Sequence, residues 1–166
     1  MIHKIGTFVL DEVCKFISGK EFKEMGLEYI EINLSVMQCM SSELAGEGQN
    51  IISKYGVSPN QVNLEITETA AAYAQTTMMD NINKLTEGGI AFSLDDFGTG
   101  YSNMKRIASM PFAIVKLDKT FAEMNSDEKL RKVVKNTIYM VKDMNMRIVV
   151  EGVETEESFA EFRDMG

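Results

Sequence analysis

The sequence is short of basic charge, proline, cysteine and histidine, and each shortage closes a class of explanation. Its 17 Lys and Arg stand against 25 Asp and Glu, a formal net charge of −8. Such a surface repels a polyphosphate backbone unless a local basic groove overcomes it, so no long nucleic acid is expected as a partner. The two cysteines, Cys14 and Cys39, have no C-x-x-C spacing, which leaves neither a disulfide framework nor a zinc knuckle and points to a reducing, cytoplasmic home. The one histidine, His3, stands by a helix start and is read as inert. No run of eighteen apolar residues occurs, and Ile5 to Leu10 leads straight into Asp11 and Glu12, so no membrane segment is expected. With 2 Pro, 12 Gly, 45% apolar and 25% charged residues in 166, collagenous, low-complexity and disordered readings fall away, and the length suits one domain.

What is present is a repeating unit: an apolar β-type run, a polar residue at its carboxyl end, a helical stretch, then the next run. Ile5, Phe8, Val9, Val13, Phe16 and Ile17 recur at three- and four-residue steps, which predicts a helix over about 4–18 with one buried stripe. Strands are predicted at 27–34, 62–66, 90–94, 113–117 and 147–150. Helices are predicted at 42–54, 70–87 (apolar Tyr73, Met78, Ile82 and Leu85), 103–108 and 127–144, the last with Val133, Val134, Ile138 and Val141 on one face. Ser126 and Thr155 read as N-caps. Strand and helix alternating without a hairpin signal argue for a parallel sheet of right-handed crossovers. Five strands suit either a complete open sheet of the flavodoxin type or part of an eight-stranded barrel; length favours the first and the residues at the strand ends the second.

In parallel α/β folds the site lies beyond the carboxyl ends of the strands. There this sequence places Asn33, Glu65, the pair Asp95-Asp96, Lys116 and Glu151. Acids gathered on one face raise one another's pKa and call for a counter-charge. Oxygen ligands without His or Cys suit Mg²⁺ or Mn²⁺, and adjacent aspartates can hold two such ions. The chemistry implied is metal-activated water attacking a phosphoester, with Lys116 orienting that water and offsetting charge in the transition state. Phe97-Gly98-Thr99-Gly100 follows the pair, a loop whose glycines permit sharp turns and close backbone approach.

Taken in order, Ile32-Asn33-Leu34-Ser35, Glu65-Ile66-Thr67-Glu68, Asp95-Asp96-Phe97-Gly98-Thr99-Gly100-Tyr101-Ser102, Val115-Lys116-Leu117-Asp118-Lys119 and Val150-Glu151-Gly152-Val153-Glu154-Thr155 resemble the ordered motifs of the EAL-domain family. The resemblance implies a TIM-like barrel that hydrolyses cyclic di-GMP to linear pGpG with two Mg²⁺ or Mn²⁺ ions. It implies Asn33, Glu65, Asp95 and Asp96 as metal ligands, Lys116 as holder of the nucleophilic water, and Glu151 as a further ligand or proton acceptor. Glu68 would anchor the loop 97–102, which includes Phe97, Gly98, Thr99 and Gly100. The family's opening Glu-Ala-Leu segment and its closing strands have no counterpart here. The expected fold is therefore α/β, an incomplete TIM-like (β/α) barrel with about five parallel strands, and residues 1–166 are expected to be a single partial EAL-like domain. Hydrolysis is expected to be impaired or absent. The alternative is a catalytically degenerate cyclic di-GMP-binding or protein-interaction module. A parallel sheet with open edges invites pairing with another chain, so a homodimer or segment exchange is expected.

Overall fold

The structure is a computed structural model that describes residues 2–100, 104–124 and 127–166. Five strands, β1 (Ile30–Asn33), β2 (Val62–Thr67), β3 (Ala91–Phe97), β4 (Ile114–Leu117) and β5 (Arg147–Val150), form one sheet in the order β1-β2-β3-β4-β5. The pairs β1/β2, β3/β4 and β4/β5 run parallel, as the absence of hairpin signals predicts. All five strands overlap the predicted runs, but β1 begins only at Ile30 and β3 continues past the predicted end at 94 through Asp95 and Asp96 to Phe97, and each crossover passes through at least one helix. No helix of the described residues is long and apolar enough to cross a membrane.

The chain separates into two compact units, Met1–Ile66 with Tyr73–Phe92 and Thr67–Ala72 with Ser93–Gly166. In the first, α1 (Ile2–Ile17) packs on α4 (Leu44–Tyr55), which packs on α6 (Thr76–Glu87). Ile32, Val62, Leu64, Ile66, Ile51, Ile52, Met78, Ile82 and Leu85 fill the core. The apolar face of α1 is wider than its buried stripe. Cys14 and Ile17 are buried, Ile17 at 2% exposure, whereas Ile5, Phe8 and Val9 face outward, Phe8 at 64%. Polar ties also hold α1: Lys54 Nζ reaches Asp11 Oδ1 at 2.7 Å, the Tyr55 hydroxyl donates to Asp11 Oδ2 at 2.9 Å, and Thr7 donates to Glu47 at 3.0 Å. The predicted helix 70–87 is two helices, α5 (Glu68–Ala72) and α6. The chain turns extended at Gln75, and Tyr73, expected on the buried face, is 77% exposed. Two short helices of this unit, α2 (Lys20–Glu24) and α3 (Val36–Cys39), are too brief to show a period.

The second unit holds the end of β3, β4, β5, α5, α7 (Met104–Ser109), α8 (Thr120–Met124), α9 (Glu128–Asp143) and α10 (Glu156–Met165). Its core includes Leu94, Ile114, Val115, Leu117, Phe121, Val134, Ile138, Val141 and Phe162. Val133, expected beside Val134, is 49% exposed, because successive helical residues point about 100° apart and cannot share one narrow stripe. Thr155 caps α10, accepting from the Ser158 N–H. Asp127 caps α9, accepting from the N–H groups of Lys129 and Leu130 at 2.9 Å; Ser126, read as that cap, lies outside the described residues.

Candidate active site

In the first unit, Asn33 ends β1 in register with Glu65 of β2, and the Leu34 N–H donates to the Glu65 carbonyl at 2.8 Å. Side chains alternate along a strand, so Asn63 and Glu65 share the face opposite Leu64 and Ile66. All four are buried, Glu65 at 5% exposure. A carboxylate so enclosed is retained only for specific partners.

In the second unit, β3 departs from regular pairing at the aspartates. Leu94 pairs with Val115 and Phe97 with Leu117, so Asp95 and Asp96 together stand opposite the single residue Lys116. This is a β-bulge, which bends a strand and re-aims its side chains. Asp96 absorbs the extra residue with φ +55°, a left-handed conformation that aspartate tolerates better than most residues. The sequence showed the pair; the structure shows why adjacent carboxyls need not point to opposite faces.

Lys116 answers both neighbours. Its ammonium lies 3.3 Å from Asp95 Oδ1 and 2.9 Å from Glu151 Oε1, the latter just past the end of β5. Asp95 Oδ1 is buried and, among the described residues, accepts no hydrogen bond. The Asp96 carboxyl is held above the usual carboxylate range, first by burial and then by the charges of Asp95, Asp118 and Glu151, with Lys116 opposing. Asp118 is held below that range chiefly by the backbone N–H of Thr120, at 2.9 Å from its Oδ1. One ammonium thus faces several acids. A buried carboxylate oxygen that has an ammonium at 3.3 Å but, among the described residues, accepts no hydrogen bond, an adjacent acid that resists ionisation and an all-oxygen donor set fit a hard divalent cation. Among the described residues no three His, Cys, Asp or Glu side chains are gathered into a ready metal cage; Lys116, rather than a third acid, bridges Asp95 and Glu151.

The loop after the pair is pinned. The buried Glu68 at the start of α5 accepts the Gly98 N–H on its Oε2 at 2.8 Å, and Thr99 folds back through its hydroxyl onto the Asp96 carbonyl at 2.9 Å. Gly100 lies beside Glu68, whose carboxyl would be in ordinary contact, at 3.8 Å, with a Cβ there. Tyr101 and Ser102 lie outside the described residues. Gly152, with φ +71°, allows the turn after Glu151 to pass Lys119, whose Cβ would be 2.5 Å from an added methyl. Two contributors escaped the sequence reading as parts of this site. Asp118 was visible two residues beyond Lys116 in the strand-end motif, whereas Phe121, which lies against Gly98, gives no local sign of its neighbour.

A strand-end aspartate pair on a bulge, a lysine opposite it and a glutamate one strand further define a class. Residues 1–166 match the EAL domain, and the chain belongs to that family. It is 30% identical over 163 residues to the oxygen sensor protein DosP of Escherichia coli, covering 98% of this chain and 20% of that one. To the cyclic di-GMP phosphodiesterase RocR of Pseudomonas aeruginosa it is 30% identical over 138 residues, 82% of this chain and 35% of that one. The structure titled PaMucR phosphodiesterase, c-di-GMP complex, superposes with a TM-score of 0.87 at 29% identity, over 99% of this chain and 67% of that one. The EAL domain of Mycobacterium smegmatis DcpA gives 0.87 at 28%, over 100% and 75%. The chain spans from about a fifth to a third of the length of these curated relatives.

Proposed function

We propose that this chain forms the metal-binding, hydrolytic part of an EAL domain acting on cyclic di-GMP and yielding linear pGpG. The observation that carries the reading is the bulged Asp95–Asp96 pair facing Lys116, whose ammonium also reaches Glu151. The names of its relatives support the substrate: RocR is a cyclic di-GMP phosphodiesterase, and the MucR phosphodiesterase structure is a c-di-GMP complex. Phosphodiesterases of this family generally depend on divalent metal. Asn33, Glu65, Asp95 and Asp96 are the proposed donors to Mg²⁺ or Mn²⁺. Bound ions of this kind supply Lewis-acid activation of water and neutralise phosphoester charge. Lys116 orients the attacking water and balances charge as it enters, Glu151 accepts its proton, and Glu68 fixes the loop through Gly98. Residues 1–166 act in this reading as one partial EAL-like domain. Its free, buried cysteines suit a reducing cytoplasm.

The test is incubation with cyclic di-GMP and Mn²⁺, with linear product followed by ion-exchange chromatography. Turnover that falls by about 10²–10⁴-fold in Lys116→Met, the contribution of a positioned proton-transfer or charge-balancing group, is the expected result. The reading fails if the chain neither binds nor cleaves the dinucleotide. A second reading, a module that binds cyclic di-GMP without cleaving it, is favoured by the ion pairs that already engage Lys116 and by the lack of a ready cage of three acids among the described residues. Binding without turnover selects it. We further propose that β1 and β5, the terminal strands of the sheet order, drive self-association as a homodimer or by segment exchange. A monodisperse monomer at micromolar concentration in sizing with light scattering would contradict this.

A further inference from the structure

A bulge releases the ladder's hold on the residues inside it, so the orientation of Asp95 and Asp96 depends on whatever fixes the chain immediately after them. We propose that Phe121, the second residue of α8, is a positioning residue for this pair: its ring occupies the space left by Gly98 and holds the 97–98 turn in place. Phe121 is buried. A Cβ added to Gly98 would collide with Phe121 Cε2 and stand 2.8 Å from Cζ. The backbone at Gly98 has φ +101°, so residue 98 must be glycine on two separate grounds, backbone conformation and the neighbouring ring. The same ring stacks on Phe97, centroids 6.2 Å apart and planes 21° from parallel. From another direction Glu68 accepts the Gly98 N–H at 2.8 Å. The two residues that follow Asp96 are therefore clamped between a carboxylate and an aromatic ring.

Phe121 is itself tied to the strand it braces. The Asp118 N–H donates to the Phe97 carbonyl at 3.2 Å, the Phe121 N–H donates to the Asp118 carbonyl at 2.9 Å, and Asp118 Oδ1 accepts from the Thr120 N–H. The end of β3, the β4–α8 turn and the first turn of α8 form a closed ring of contacts, with Phe97 and Phe121 stacked as its large apolar members. The ring's effect on cation binding rests on the function proposed above; its hold on Gly98 rests on geometry alone.

The experiment measures amide exchange at Gly98 by NMR and Mn²⁺ affinity by calorimetry, in the whole chain and in Phe121→Leu. Exchange at Gly98 is expected to quicken by about tenfold or more while β4 amides keep their protection. Mn²⁺ is expected to bind about tenfold more weakly, the range seen when a group orienting a metal ligand is lost. Phe162→Leu, a truncation of another buried aromatic of this unit, is expected to change neither. Gly98→Ala with Phe121→Leu closes a double-mutant cycle, and the pair is expected to lose less than the two single losses combined, as contacting residues do. Unchanged Gly98 exchange in Phe121→Leu, equal effects from Phe162→Leu, or strict additivity overturns the assignment. If the unsubstituted chain takes up no Mn²⁺, the metal reading fails, and the exchange arm and the cycle, read on Gly98 protection, still decide the role of Phe121. Should Phe121→Leu not fold, Phe121→Met serves in its place.

Discussion

Asp96 combines a left-handed backbone with a carboxyl that burial and three neighbouring acids keep from ionising readily. An acid whose pKa is higher folded than unfolded binds more protons in the native state, so stability falls as pH rises from the unfolded value of 3.8 through the raised native one. Asp96→Asn removes that penalty. In metal-free solution at neutral pH the variant is expected to melt at a higher temperature than the unsubstituted chain, with the advantage gone below the unfolded pKa. Thermal scans across pH check it, and an Asp96→Asn that melts lower at pH 7 contradicts it. The same substitution is expected to weaken Mn²⁺ binding, so stability and ion affinity move in opposite directions. Gly152 makes a simpler case. Gly152→Ala forces a side chain into φ +71° beside Lys119, which costs about 1–2 kcal/mol from the backbone alone. Urea titration measures the loss.

Among the elements, α1 shows where a pattern read from sequence overreaches. Six apolar residues share its helical period, yet the helix buries Cys14 and Ile17 and turns Ile5, Phe8 and Val9 outward. Ile17→Ala is expected to destabilise by about 2–5 kcal/mol, the range for emptying a filled core site. Phe8→Ala is expected to stay within about 0.5 kcal/mol, as surface changes do. Comparable losses from both would mean that Phe8 is covered in solution. The strands were legible because β-branched and aliphatic runs bounded by polar residues are short and distinct. The short helices were not: four or five residues cannot display a 3.6-residue repeat. One of them left a different trace, for Ser35 and Gln38 form a reciprocal capping box at the start of α3, a spacing visible in Ser35-Val36-Met37-Gln38. The break between α5 and α6 was hidden because alanines flank it and suit helix throughout.

For the molecule as a whole, an excess of acid over base shapes what it can hold. A cation that binds the folded chain and not the unfolded one stabilises it by about 2.7 kcal/mol at a hundred times its dissociation constant. Saturating Mn²⁺ is therefore expected to raise the melting temperature of the unsubstituted chain, and much less so in Asp95→Asn; a shift equal in both would mean the ion binds elsewhere. The residue types at the strand ends could be read from sequence because acids and lysines are conspicuous beside aliphatic strands. The bulge could not, since nothing in Leu94-Asp95-Asp96-Phe97 announces that two residues will oppose one. That irregularity exposes the gene to a quiet kind of damage. Losing one codon for either aspartate would restore an even count between Leu94 and Phe97, leaving a strand that pairs more regularly and folds at least as readily. Such a deletion would pass every screen for solubility and expression while leaving half of the carboxylate pair.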